Sequence, residues 1–262
     1  NAMETALPMR LPGDVVPRAY TLDLTVNPDQ PRHQGVVRID VDLRQPTRVL
    51  RLHATDLQVR SAVLQFKGQS LRGQPRQRNT DLLDLRFAKL LPVGPATLVM
   101  EFAGRIDDKD SAGLFRQKEG GEWYAFTQFE ATYARRAFPS FDEPGWKVPW
   151  TLSLTIPEAL MAVANTPVAS ERNLGRGRKR VQFETTQPLP SYLLAFGVGP
   201  FDVLDGGKVG STPIRFVTPR GRAQEARYAA SQTPAIVEKL EAYFGMPYPY
   251  GKLDLMALPI TL

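Results

Sequence analysis

Residues able to do chemistry are few and unevenly placed in this 262-residue chain. It has no cysteine, which removes thiol nucleophiles, disulfide staples, Cys-based zinc modules and iron–sulfur clusters. Its two histidines are His33, in PRHQG, and His53, in LHATD. Neither is followed by the E-x-x-H that sets two zinc ligands on one helical face, and their separation suits no metal-ligand pair. His53 reads as a strand-edge residue and His33 as part of an exposed turn. The segment Arg172–Arg180, RNLGRGRKR, gathers five basic side chains around two glycines. It has the charge of a phosphate-binding patch, but between Val168 and Val181 it reads as a solvated hairpin. Gly206-Gly207 lacks the G-x-x-x-x-G-K context of a phosphate cradle. The most informative stretch is Thr127–Pro144, TQFEATYARRAFPSFDEP. Alone, Glu130 between Phe129 and Ala131 is an ordinary solvated strand or loop carboxylate. Arg135, Arg136, Asp142 and Glu143 read as a hydrogen-bonded corner that fixes the loop, with FDEP a turn closed by Pro144.

The elements that must position these residues are mostly strands. Tyr20, Leu22, Leu24 and Val26 alternate with Thr21, Asp23 and Thr25, a half-buried strand with an inside and an outside. Val37, Ile39, Val41 and Leu43 repeat the pattern. Further strands are expected at 49–53, 59–66, 82–87, 97–102, 150–156, 161–164, 180–185 and 192–198. The 23 prolines and 20 glycines fall between these runs as punctuation. Many short strands with frequent turns favour a sandwich or large antiparallel sheets. Trp123, Tyr124 and Phe126, just ahead of the key stretch, read as packing aromatics.

The character changes near Gly206-Gly207. After one more strand (213–218) comes a helical stretch from about Arg222 to Phe244. Ile236, Leu240 and Tyr243/Phe244 form one apolar face at helical spacing, open to solvent or to a neighbouring molecule. Pro234 is expected to kink this helix or to start a second segment with Thr233 as its N-cap. Gly245 ends it, and Pro247 and Pro249 stop its continuation. A last strand-like run covers 252–258. The division expected is a β domain over 4–207 and the opening of a second, truncated domain over 208–262. Asn1-Ala2-Met3 reads as a cleavage scar ahead of a start methionine.

Hydrophobic residues at 42% and charged residues at 23% exclude a disordered chain. No run approaches the roughly 18 apolar residues of a membrane span. A net charge of +6 is a mild excess, too small to imply nucleic-acid binding without clustering on one face.

Thr127–Pro144 resembles the T-Q-x-E-x-x-x-A-R-x-x-F-P-C-F-D-E-P motif of the aminopeptidase N and puromycin-sensitive zinc aminopeptidases. Five more segments resemble blocks of that family in its own order: LHATDL (52–57), GLFR (113–116), ANTPVASE (164–171), SYLLAFGVGPF (191–201) and YFGMPYPYGKLDLMALP (243–259). Ser140 stands where the family usually has Cys, a residue with no catalytic role there. The resemblance covers roughly the whole chain. It implies a mainly β fold: a saddle-shaped antiparallel β-sandwich followed by the first strand and helix of a thermolysin-like α/β catalytic domain.

The same resemblance implies that Gln128 and Glu130 bind the first residue and free α-amine of a peptide substrate. A buried ammonium needs a counter-charge, and a carboxylate there selects for free amino ends. The family's zinc ligands, from H-E-x-x-H and a later Glu, lie beyond Lys252–Pro259, and the chain ends at Ile260-Thr261-Leu262. The expectation is zinc in the full-length protein, with no zinc and no hydrolysis in this chain, which would pack on the missing catalytic domain. Two alternatives stand beside this. One is a non-enzymatic β-sandwich interaction module of a catalytically dead family member, with the basic hairpin as contact surface. The other is the epoxide-hydrolase branch, whose loop carries Gln where Glu130 stands. Composition leaves the compartment open between cytoplasm and periplasm or secretion.

Overall fold

A computed structural model describes residues 10–259, so the readings of Asn1–Met3 and of the chain end at 260–262 lie outside the described residues. The first stretch forms strands β1 (Val15–Thr25), β2 (Arg32–Leu43), β3 (Thr47–His53), β4 (Gln58–Phe66), β5 (Gln69–Gln77), β6 (Leu82–Leu91) and β7 (Gly94–Arg105). The middle forms β8 (Gly113–Glu119), β9 (Glu122–Gln128), β10 (Trp150–Pro157), β11 (Met161–Ala164), β12 (Val168–Gly175), β13 (Arg178–Phe183) and β14 (Phe196–Gly199). The last part holds β15 (Phe201–Val209), β16 (Thr212–Pro219), helix α1 (Arg227–Phe244) and β17 (Leu253–Met256).

These strands make three sheets. The largest has ten strands in the order β12-β13-β10-β1-β2-β7-β4-β5-β6-β3. It is antiparallel except where β1 lies parallel to β10, with Tyr20 opposite Trp150. The alternation of β1 and β2 explains the pairing. Leu22 faces Val37 and Tyr20 faces Ile39, and all four are buried. Each such side chain withdrawn from water contributes of order 2 kcal/mol. The second sheet is β11-β14-β9-β8 and the third β15-β16-β17, whose last pair is parallel. Phe115, Tyr124, Phe126 and Val163 of the second sheet meet Phe201 and Val217 of the third in one apolar cluster. The mainly β, multi-sheet fold read from the sequence is the fold observed.

Several local expectations need correction. His33 is no turn residue: it lies in β2, buried, with its ring bonded to the backbone of Ala137. The α-helix starts at Arg227, behind a short 3-10 turn over Ala223–Ala226. Pro234 starts no second segment, and Thr233 is no cap: its hydroxyl donates to the carbonyl of Ala229 at 2.7 Å inside one continuous helix. Thr233 and Val237, not the Ile236/Leu240 stripe, are the helix residues buried against the third sheet. Pro144 does not close the FDEP turn. It comes directly after Glu143, whose carbonyl accepts from the Trp146 amide at 3.2 Å, so Pro144 takes the second position, which suits its fixed φ. Gly206-Gly207 lies within β15, at an irregularity in its pairing with β16.

Candidate functional site

Strand β9 delivers the key stretch. Tyr124 and Phe126 anchor the strand in the apolar cluster. Thr127 Oγ1 accepts from the Phe196 amide at 3.0 Å, fastening the strand end to β14. The chain then leaves the sheet with alternating burial: Gln128 exposed, Phe129 buried, Glu130 exposed. Gln128 Oε1 accepts from the Glu130 amide at 3.1 Å, so the two site residues predicted from sequence are brought together on the open side. The Glu130–Ala131 peptide is cis.

The loop that begins here is held from below. The Phe129 ring meets Phe138 edge to face at 5.8 Å, and Phe138 meets Trp150 the same way at 5.7 Å. Trp150 stacks on Tyr20 at 4.0 Å. The Tyr20 hydroxyl accepts from the Phe141 amide at 3.0 Å, and burial pushes its pKa well above the usual tyrosine range. Ser140 and His53 exchange both backbone hydrogen bonds, at 2.8 and 3.0 Å. Residues far apart in sequence thus converge under one short segment.

Asp142 is the hub of that convergence. Its side chain is 1% exposed. One carboxylate oxygen accepts from Arg135 Nε at 2.9 Å and from the Arg135 amide at 3.2 Å; the other accepts from Ser191 Oγ at 2.5 Å. Arg135 Nη2 also donates to the Asp142 carbonyl at 3.0 Å. The Asp142 amide donates to His53 Nδ1 at 3.1 Å, which fixes that nitrogen as the unprotonated one. Burial, then the nearby Arg135 charge, lowers the His53 pKa to about 4. Arg136 pairs with Asp110 at 3.2 Å and lies over the Tyr133 ring. Glu143 accepts from the Leu11 amide at 2.7 Å. Of the corner read from Arg135, Arg136, Asp142 and Glu143, Arg135 and Asp142 bind each other, while Arg136 and Glu143 hold Asp110 and the Leu11 amide.

Sequence reasoning missed three contributors. Tyr20 and the two histidines come from the large sheet. Only His53 carried a signal, because LHATDL was one of the family-like blocks. Beside β9, a cavity of about 330 Å3 is lined by Thr127, Asn165, Phe196, Tyr248, Lys252 and Asp254. Lys252 Nζ donates to the Ala164 carbonyl at 2.7 Å and pairs with Asp254. Arg215 grips the same carboxylate with two hydrogen bonds, at 2.8 and 2.6 Å, and together the two cations hold the Asp254 pKa low despite burial. The basic hairpin is β12–β13, turning at Gly175-Arg176-Gly177, all with positive φ. Lys179 pairs there with Glu171 and Arg180 with Asp23, so part of its charge is neutralised within the molecule.

Comparison with known proteins identifies the family of the chain. Residues 16–193 match the family described as the Peptidase M1 N-terminal domain. The chain is 35% identical over 260 residues to Aminopeptidase M1-A of Oryza sativa subsp. japonica, covering 95% of this chain and 29% of that relative. It is 32% identical over 255 residues to Aminopeptidase N of Acetobacter pasteurianus, covering 95% of this chain and 71% of that relative. It is also 32% identical over 259 residues to the puromycin-sensitive aminopeptidase of Caenorhabditis elegans, of which it spans 27%.

Proposed function

The chain belongs to the M1 peptidase family through its N-terminal domain, and from that premise we propose that it is the N-terminal part of a zinc-dependent aminopeptidase. In this reading it holds the free α-amine of a peptide with Glu130, positions the first residue with Gln128, and walls one side of the cleft. Residues 4–207 form the β domain, and 208–262 begin a catalytic domain whose remainder covers the exposed face of α1. The division falls inside β15, whose sheet partner β16 and packing helix α1 both come after it in the chain.

The supporting observation is the hydrogen bond between the Gln128 side chain and the Glu130 amide, on a loop held from below by Tyr20, His53 and Asp142. A carboxylate that must meet an ammonium works best when its backbone cannot drift, since a misplaced contact loses binding energy to reorganisation. Selectivity follows from charge: a peptide without a free amino end would leave Glu130 desolvated and unpaired, an expensive state.

The zinc ion does not fit the residues present. Among the described residues no three His, Cys, Asp or Glu side chains come together to hold a metal. One ring nitrogen of each histidine is committed to a backbone group. The metal, with the bond-breaking chemistry it supplies, belongs in this reading to residues outside this chain, and none of its steps falls to this one.

The test is Glu130→Ala in the full-length enzyme with an aminoacyl reporter substrate. Loss of a charged hydrogen bond of about 1.5–3 kcal/mol predicts a fall in kcat/KM of roughly 10- to 100-fold. The loss appears in KM if the contact binds ground and transition states alike, and in kcat if it places the scissile bond. An unchanged kcat/KM removes Glu130 from the site.

A further inference from the structure

The two histidines of the chain come from different strands and reach the same loop. From β2, His33 donates Nε2–H to the Ala137 carbonyl at 2.7 Å. From the end of β3, His53 accepts the Asp142 amide at Nδ1. The two holding points bracket the buried Phe138 and Phe141, and the loop they pin begins at Gln128 and Glu130. We propose that His33 and His53 act together as positioning residues for the Gln128–Glu130 loop, and that proton uptake by the pair releases the loop while the sheets stay folded.

The surroundings of each ring give the sign. His53 faces Arg135 and Asp142 from the loop and Asp81 from the turn before β6. Its proton would go on Nδ1, the nitrogen that accepts from Asp142, so the charged ring sets two donors against each other. The structure places His33 against Phe102 and opposite Gly104, and its only charged influence is Arg32, a cation. Burial therefore disfavours the charged form of both rings. With the loop lifted, each returns toward its ordinary value near 6.5. The open form then binds more protons than the closed form, so the closed loop is fully stable above about pH 6.5. It loses stability as pH falls toward the folded His53 value of about 4. Within that window the linked His53 proton raises the opening constant about tenfold per pH unit, and the His33 proton adds to this from about 6.5 down to its own lowered folded value. Resting on the proposed amine contact, the consequence is that substrate anchoring weakens on acidification.

Hydrogen exchange on the 262-residue chain between pH 7 and 4.5, corrected for intrinsic rates, tests this directly. The loop amides of Ala137, Phe138 and Asp142 are followed, with Leu22 and Leu24 of β1 as controls. The expected slope of log opening constant against falling pH is about two for the native chain. It is about one for His53→Asn, whose Oδ1 stands in for Nδ1, and about one for His33→Gln, whose amide stands in for Nε2–H. The double variant should show none. Either single variant keeping the native slope overturns the paired role, and so do β1 amides that open in step with the loop. Should a variant fail to fold, the histidine Cε1–H resonances of the native chain decide. Both should titrate below 6.5, His53 at about 4, and an ordinary midpoint for either overturns the proposal. Glu130→Ala keeps the slope of two, so failure of the amine-anchoring reading and failure of this one are separately visible.

Discussion

Ser140 is buried completely, and its hydroxyl has no hydrogen-bond partner among the described residues. A buried hydroxyl left unpaired carries a desolvation cost without return. Ser140→Ala is therefore expected to stabilise the chain by about 1 kcal/mol, read as a higher urea midpoint with unchanged slope. Asp142 is the opposite case: four donors converge on its two side-chain oxygens and its carbonyl. Asp142→Ala leaves the largely buried Arg135 with only the more distant Asp81 carboxylate at 3.8 Å, and a loss of about 3 kcal/mol is expected by chemical denaturation. At this scale the sequence was legible for the Arg135–Asp142 corner, which lies inside a family-like block. It was blind to Tyr20 and His33. Nothing local distinguishes a tyrosine in an alternating strand from one whose hydroxyl caps a loop 121 residues away, because that contact exists only once β1 and β10 have paired.

Strands with one buried face were readable from alternation, as β1 and β2 show. Those missed have physical reasons. Strand β12 is exposed along its whole length and β5 nearly so, so neither carries a period-two apolar signal. In β15 the pattern is interrupted by its glycines. Glycine matters more at β14, where the second sheet packs tightly. A methyl group at Gly199 would sit 2.4 Å from the Tyr124 ring, while one at Gly197 would meet the tip of Met256 at 2.5 Å. The Met256 tip can swing aside. Tyr124 cannot, since its hydroxyl bonds both the Pro200 carbonyl and the Arg220 amide. Gly199→Ala should cost about 2–3 kcal/mol and Gly197→Ala clearly less; thermal melts of the two variants check the order.

At the scale of the whole molecule, an exposed apolar stripe runs along α1, where Ile236 and Leu240 are about half exposed and Tyr243 is 81% exposed. Such a stripe favours association. Ile236→Glu with Leu240→Lys should reduce light scattering of concentrated solutions without lowering the melting temperature, because neither side chain supports the third sheet. If the proposed catalytic domain covers this face, a chain extended past Leu262 should melt higher than this one. The topology of the large sheet has a consequence of another kind, in the order of synthesis. Strand β1 can pair with β2 early, but its other edge waits for β10, roughly 130 residues later in the chain. As the polypeptide emerges from the ribosome, that edge stays open until about residue 157 is clear of the exit tunnel. Until then Trp150 is not there to cover Tyr20. The nascent domain is thus most open to mispairing in the interval before its middle is translated, when exposed strand edges and apolar surface invite it.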